Sequence, residues 1–209
     1  MSFDAYEYVG VIIPGALPTL VASLFVPEVA SLISSEGVEL GTLGIFLIMS
    51  FVVGHVVQLI GNWIETIEGL LGWGKDSLVL NEKRRPIDSF RWQRFLSALR
   101  SEDIIGQEKL NSSLWQGIRK EVYAALQAAK RTQRIDAFNR TYGMCRGMVA
   151  GTILTIGIVL VLGGTEHQSK AFLTFALLTV PLYIRMRRFS RHYFTEIVSQ
   201  FLALKGTND

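Results

Sequence analysis

Two long stretches without charge dominate the first third of the chain. No Asp, Glu, Lys or Arg occurs in residues 8–27 or in residues 40–63. A helix that crosses a bilayer needs roughly 20 predominantly apolar residues, so each stretch is long enough to form one. The whole chain is only 19% charged, whereas soluble domains average about a quarter. These features exclude a disordered protein and an ordinary soluble enzyme as first interpretations and favour an integral membrane protein.

Four apolar windows predict an all-α fold with four transmembrane helices. The windows are residues 8–26, 40–60, 147–164 and 171–184. The fourth is short, and it crosses the bilayer only if Lys170 and Arg185 reach the headgroups and the bilayer thins locally. The alternative for this window is a re-entrant or buried segment. No basic residue precedes the first window, which argues against a cleaved signal peptide.

Basic residues concentrate on one side of these predicted spans. Of the 21 Lys and Arg residues, 15 lie in residues 61–146 and five follow residue 184. Cytoplasmic loops of membrane proteins are enriched in Lys and Arg. We therefore expect an integral plasma (inner) membrane protein whose two termini and central region are cytoplasmic. The single cysteine, Cys145, permits no disulfide within the chain.

The windows divide the chain into an N-terminal transmembrane hairpin, a helical cytoplasmic insert between spans two and three, a C-terminal transmembrane hairpin and a basic cytoplasmic tail. These four parts are residues 1–63, 64–142, 143–184 and 185–209. In the insert, apolar residues recur every three or four positions from Leu114 to Tyr142, which is the helical period. This pattern predicts a long stalk helix that continues into the third span. The alternative is a break near Thr141 and Gly143.

Local signals predict the shorter elements of the insert. Asp88 and Ser89 are typical of the start of a helix, which we expect to reach Arg100. A second cap predicts a helix over residues 104–110. Span two is expected to continue as an amphipathic helix until Gly72 and Gly74. The SLVL sequence at residues 77–80 is a candidate short strand.

Three glycines recur at four-residue spacing at the start of the third span. They are Gly143, Gly147 and Gly151. Small residues at this spacing let helix backbones approach closely in lipid. We predict a packing face here, either between subunits of a homo-oligomer or between helices of one chain.

Polar and helix-breaking residues interrupt the first two spans. Pro14 and Pro18 are expected to kink the first. His55, Gln58 and Asn62 form a polar stripe on the second. Polar groups inside a membrane are costly and often functional, so the stripe predicts either the lining of a pore or an interhelical hydrogen-bond seam.

The insert carries more positive charge than orientation in the membrane requires. Its basic residues predict a docking surface for an anionic partner, with Trp and Arg as the residue types enriched at binding hot spots. The candidate partner-binding residues are Arg84, Arg85, Arg91, Trp92, Arg94, Lys130, Arg131 and Arg134. A cytosolic protein is the expected partner, and a nucleotide or nucleic acid is the alternative. Solvated charge with no partner is the other interpretation.

No sequence motif indicates catalysis, a metal site or a cofactor. The chain lacks the Walker A, C-x-x-C, H-x-x-x-H and G-x-S-x-G patterns. Arg187 and His192 have an R-x4-H spacing that resembles the motif of HEPN-type ribonucleases, in which Arg and His act together on RNA. The same arginine-rich stretch also suits attraction to anionic lipid headgroups.

The layout resembles that of small four-span bacterial membrane proteins from anti-phage operons. The Kiwa membrane subunit is the nearest type and CBASS membrane effectors are the second. The resemblance lies in the four spans, the basic cytoplasmic side and the segments YVGVIIPG (residues 8–15) and GHVVQLIGN (residues 54–62). It implies a non-enzymatic homo-oligomer that docks a cytosolic partner and senses or perturbs the membrane. The alternatives are a partner- or ligand-gated pore and a membrane-tethered HEPN-like ribonuclease.

Overall fold

The computed structural model describes residues 5–33, 40–75, 77–106, 110–163 and 165–206, and every regular element among them is helical. The all-α prediction is therefore confirmed. The α-helices are α1 (Ala5–Phe25), α2 (Pro27–Ile33), α3 (Leu40–Leu70), α4 (Ser77–Leu80), α5 (Ser89–Ser101), α6 (Ser112–Ala128), α7 (Gln133–Leu162) and α8 (Thr165–Lys205). A 3-10 turn at Glu82–Arg84 follows α4.

Three of these helices are long and apolar enough to cross a membrane. The segments are Tyr8–Phe25 in α1, Gly41–Leu70 in α3 and Gln133–Leu162 in α7. Residues 171–184, the fourth predicted span, form part of α8 and are not among those three segments. The four-span count and the cytoplasmic position of the insert therefore stay predictions.

The described helices form two compact units. We call residues 1–64 and 141–187 the apolar unit, and residues 65–140 and 188–209 the basic unit. The sequence places 4 basic and 6 acidic residues in the apolar unit, against 17 basic and 12 acidic residues in the basic unit. Helices α3, α7 and α8 each contribute residues to both units.

An aromatic core holds the basic unit together. Trp92 and Phe95 of α5, Trp115 of α6, and Phe194 and Phe201 of α8 are each at most 5% exposed. Their ring centroids lie 5.4 to 6.1 Å apart, as in edge-to-face and offset aromatic pairs. The segment that the sequence predicts as a basic tail thus supplies core residues of this unit.

The prediction of an unbroken stalk helix is wrong. Helices α6 and α7 are separate, and Lys130 lies between them with a φ of 56°. The N–H of Arg131 donates to the carbonyl of Leu126 at 2.9 Å, as expected where a left-handed residue ends a helix in a Schellman motif. The alternative break near Thr141 and Gly143 is not found either, because α7 is continuous through both.

The predictions for the shorter elements have mixed outcomes. Asp88 caps α5 as expected, since its Oδ1 accepts a hydrogen bond from a first-turn N–H at 2.8 Å. Helix α3 continues beyond residue 63 as expected. Residues 77–80 form a short helix, not a strand. The predicted helix over residues 104–110 is not found in residues 104–106, which follow the left-handed Asp103 (φ 55°). Residues 107–109 lie outside the described part of the chain.

Candidate functional site

Proline removes the helical hydrogen-bond donors of two carbonyl groups in α1. Pro14 and Pro18 have no N–H, so the carbonyls four residues earlier, those of Gly10 and Pro14, lose their partners. The Nε2 of Gln58 in α3 donates to the Gly10 carbonyl at 3.2 Å. An unsatisfied carbonyl is costly in hydrocarbon. Gln58 therefore stabilises the proline-containing part of α1.

The structure gives different surroundings to the three polar residues predicted as a stripe on α3. Gln58 also accepts a hydrogen bond through Oε1 from Nη2 of Arg146 in α7, at 3.4 Å. His55 is exposed and lies edge-on to the ring of Phe51, with 4.6 Å between centroids. Asn62 is exposed as well. Gln58 thus belongs to an interhelical hydrogen-bond seam, whereas His55 and Asn62 lie at the surface.

The three glycines of α7 differ in what surrounds them. A Cβ atom on Gly147 would lie 2.9 Å from Cγ of Pro14, and one on Gly151 would lie 2.5 Å from the Pro14 carbonyl oxygen. A Cβ atom on Gly143 would have no heavy atom within 4 Å outside its own local helix. Gly147 and Gly151 therefore allow α7 to approach the proline-containing part of α1 in the same chain.

Helices α1 and α3 approach each other in the same way. A Cβ atom on Gly15 would collide with the carbonyl oxygen of Ser50 and would lie 2.5 Å from the nitrogen of Gly54. A Cβ atom on Gly54 would in turn collide with the carbonyl oxygen of Val11. Close contacts between small residues are how helices associate in lipid, where burial of apolar surface does not drive them together.

Large apolar side chains cover the surface of the apolar unit. Of the 29 such side chains exposed among the described residues, 23 belong to this unit. Leu24, Ile48 and Val161 are 73%, 65% and 80% exposed. Soluble monomers rarely expose large contiguous apolar patches. This surface therefore suits a hydrocarbon environment.

Three of the predicted partner-binding residues stabilise the basic unit itself. Trp92 is in the core, and the Arg85 guanidinium lies 4.2 Å above its ring. Arg85 also donates to the carbonyl of Val79 at 2.8 Å, and its partial burial lowers its pKa. Arg84 donates to the carbonyl of Gly72 at 2.6 Å. The structure gives these side chains intramolecular roles.

Arg91 and Arg94 are exposed on α5 beside an exposed aromatic ring. The ring is that of Phe90, which is 70% exposed, and the Arg94 guanidinium lies 5.9 Å from its centroid. Two neighbouring grooves of about 550 and 660 Å³ run between α5 and the end of α8, where Leu202 and Gly206 line both. We call these five residues the α5–α8 surface.

The second predicted cluster of basic residues lies at the junction of α6 and α7. Lys130 is exposed and Arg131 is half-buried. Arg134 is exposed and pairs with Glu196 of α8, with 3.5 Å between Nε and Oε1. The Arg134 side chain is 70% exposed and the Glu196 side chain 12% exposed, so Arg134 stays accessible.

A polar cavity of about 280 Å³ in the basic unit was not predicted from the sequence. Tyr123 of α6 donates through its hydroxyl to Oδ1 of Asp136 in α7, at 2.6 Å, and this hydrogen bond raises the pKa of Tyr123 to about 12. Burial raises the pKa of Tyr193 in α8, although the charge of Arg119 opposes that shift. The lining residues come from distant parts of the sequence, so no spacing pattern in the sequence predicts the cavity.

The R-x4-H pair of the HEPN-like motif lies on α8. Arg187 falls in the apolar unit and His192 in the basic unit. The neighbouring Arg188 donates through Nε to Nε2 of His192 at 3.4 Å, and the imidazole stacks on Phe138 with 5.4 Å between centroids. Among the described residues, no group of three or more His, Cys, Asp or Glu side chains is placed to hold a metal ion.

Comparison with known proteins finds no relative of this chain: no protein-family profile, no curated protein and no solved structure matches it. The fold and the site geometry are therefore the basis for inferring function.

Proposed function

We propose that this chain is a non-enzymatic inner-membrane docking protein. In this proposal the apolar unit spans the bilayer and the basic unit lies in the cytoplasm, where it binds a cytosolic protein. The opposite surfaces of the two units support this division, since 23 of the 29 exposed large apolar side chains belong to one unit and 17 of the 21 basic residues belong to the other.

The proposal includes a fourth span in α8. Residues 171–184 are helical, and Leu173, Leu177 and Ile184 are each at least 60% exposed. Lys170 and Arg185 flank the segment and can reach the headgroups. An even number of spans keeps both termini on one side, as the distribution of Lys and Arg requires.

The observation that carries the docking function is the exposure of Phe90 beside Arg91 and Arg94. Three phenylalanines of this unit, Phe95, Phe194 and Phe201, are buried in its core, whereas the ring of Phe90 is 70% exposed. Aromatic and arginine side chains together are typical of binding hot spots. The adjoining grooves give a partner's side chains a place to insert.

Charge indicates the chemistry of the partner. The basic unit has a net charge of +5 from its 17 basic and 12 acidic residues. We therefore propose a protein with an acidic surface and an apolar anchor. Opposite charges would speed encounter and fix orientation, while the apolar contact at Phe90 would slow dissociation.

The anti-phage resemblance and the homo-oligomer belong to the same proposal. The docked protein would be a cytosolic sensor or effector, and the membrane part would sense or perturb the bilayer. Because Gly147 and Gly151 contact α1 of their own chain, we place the subunit contact elsewhere on the apolar unit.

Charge reversal on the α5–α8 surface tests the docking function. The double variant Arg91→Glu/Arg94→Glu should lose the cytosolic partner in a pull-down from mild detergent, while membrane insertion and oligomer mass stay unchanged. The matched control is Lys83→Glu/Arg100→Glu, which makes the same change in net charge at exposed positions outside the two grooves.

Binding to the wild type should also weaken with salt, because exposed charges are screened beyond about 8 Å at physiological ionic strength. The docking proposal fails if the double variant recovers as much partner as the control variant does.

A further inference from the structure

A polar cavity in the basic unit is built from four separate parts of the chain. Helix α6 contributes Arg119, Lys120 and Tyr123, and α7 contributes Asp136 and Asn139. Tyr193 of α8 and Lys75, which follows α3, complete the lining. The volume is about 280 Å³. None of these residues belongs to the α5–α8 surface.

The positive charge of the cavity is not balanced by the residues that line it. Arg119 is half-buried and Lys120 is exposed, and neither forms an ion pair with a carboxylate in the part of the chain that the structure describes. Lys75 pairs with Glu65 at 3.0 Å. A bound anion would accept charge-assisted hydrogen bonds from Arg119 and Lys120.

Asp136 is the one acidic residue among the described residues of the lining, and it already accepts a hydrogen bond. Its Oδ1 accepts a hydrogen bond from the Tyr123 hydroxyl, with 2.6 Å between the two oxygens. The cavity therefore combines three cations and one hydrogen-bonded carboxylate. Its other polar groups are the Tyr193 hydroxyl and the Asn139 amide, which can each donate and accept hydrogen bonds.

Size and chemistry limit the ligand. Guanidinium groups bind phosphate oxygens in a forked geometry, and an ammonium group adds a point charge. A volume of about 280 Å³ lies just below the usual range for drug-sized ligands, roughly 300–1,000 Å³. The cavity therefore suits a small molecule rather than a protein segment or a nucleic-acid strand.

We propose that this cavity binds a phosphomonoester, with Arg119 and Lys120 on the phosphate and with Tyr193 and Asn139 on the hydroxyl or ring groups attached to it. Lys75 and Arg119 also line an adjoining groove of about 850 Å³, which gives the ligand an entrance and holds any part that exceeds the cavity. The phosphomonoester comes either from a soluble metabolite or from the headgroup of a bilayer lipid.

The test uses the full chain in nanodiscs of neutral phosphatidylcholine. Titration calorimetry with adenosine monophosphate and with glycerol 3-phosphate forms the soluble arm. Nanodiscs containing phosphatidic acid form the lipid arm, with the rise in unfolding temperature as readout. Binding in the soluble arm assigns a metabolite, whereas a rise in the lipid arm without binding in the soluble arm assigns a headgroup.

In the arm that responds, Arg119→Gln should weaken binding at least 10-fold. Lys120→Gln should weaken it several-fold and, because Lys120 is exposed, is not expected to affect folding. The matched control Arg100→Gln removes one exposed charge outside the cavity and should leave binding unchanged. The proposal is overturned if neither arm shows binding, or if the control variant loses as much affinity as Arg119→Gln and Lys120→Gln.

Discussion

The two units of this protein distribute small and large side chains in opposite ways. The apolar unit buries glycine, threonine and serine, including Gly15, Ser50 and Thr155, and exposes leucine, isoleucine and valine. The basic unit buries tryptophan and phenylalanine and exposes arginine and lysine. The comparison shows that the surface of the apolar unit suits hydrocarbon and the surface of the basic unit suits water.

The forces that hold each unit together differ for the same reason. Burial of apolar surface stabilises a unit in water, and the aromatic core of the basic unit uses this force. In hydrocarbon, close packing and interhelical hydrogen bonds take its place. Enlarging a side chain should therefore damage the apolar unit most, and shrinking one should damage the basic unit most.

The largest effect is expected from Gly151→Leu in the apolar unit. The new Cβ atom would lie 2.5 Å from the carbonyl oxygen of Pro14, which is backbone and cannot move aside as a side chain would. In size-exclusion chromatography in mild detergent, we expect a single peak for the wild type and aggregated material for the variant. The matched control is Gly143→Leu on the same helix, where a Cβ atom meets no heavy atom within 4 Å. Equal behaviour of the two variants would contradict the assigned packing of α7 on α1.

Phe201→Ala should produce the next largest effect, in the basic unit. The ring is fully buried against Phe95, and removal of a buried phenylalanine costs about 3–5 kcal/mol of unfolding free energy. Chemical denaturation measures the loss. Phe90→Ala is the control, because its exposed ring should contribute less than about 0.5 kcal/mol. If Phe201→Ala lowers the unfolding free energy only slightly, the assignment of the end of α8 to the core is wrong.

Gln58→Leu should destabilise the apolar unit by a smaller amount. It leaves the Gly10 carbonyl without its donor, and an interhelical hydrogen bond in a membrane contributes about 1 kcal/mol. Thermal unfolding in detergent measures the change. His55→Leu on the same helix removes an exposed polar group and should leave the unfolding temperature unchanged. The hydrogen-bond seam is disproved if His55→Leu is the more damaging change.

Alkaline pH should weaken the basic unit through Tyr123. The pKa of this hydroxyl is about 12 in the folded chain, above its ordinary value of 10.0. A group whose folded pKa is raised stabilises the fold below its unfolded pKa and loses that contribution as pH rises through the folded pKa. The unfolding free energy should therefore fall between pH 10 and 12, and Tyr123→Phe should make the fall shallower. Parallel curves for the two proteins would rule out this role of the Tyr123–Asp136 hydrogen bond.

Helix ends show which parts of the fold the sequence can predict. Helix α3 ends where Gly72 takes a φ of 69°, and a glycine is an obvious signal for such an end. Helices α5 and α6 end in the same way with Asp103 and Lys130. Left-handed backbone is rare for lysine, so nothing in the local sequence predicts the break at Lys130.

The candidate sites show a similar limit. Aromatic residues are common both in cores and in binding surfaces, so composition alone does not distinguish Trp92 from Phe90. Their burial distinguishes them, because Trp92 is 5% exposed and Phe90 is 70% exposed. The cavity of Tyr123, Asp136 and Tyr193 unites residues up to 70 positions apart, and only the packing of α6, α7 and α8 brings them together.

The central claim is that the apolar unit lies in the membrane with the basic unit on its cytoplasmic side. It is tested most directly by cysteine accessibility in a Cys145→Ser background, with one new cysteine at exposed Ser31 or at exposed Gln127. A membrane-impermeant maleimide should label Ser31→Cys in cells with an intact plasma membrane and should label Gln127→Cys only after permeabilisation. Labelling of Gln127→Cys in intact cells would contradict the account.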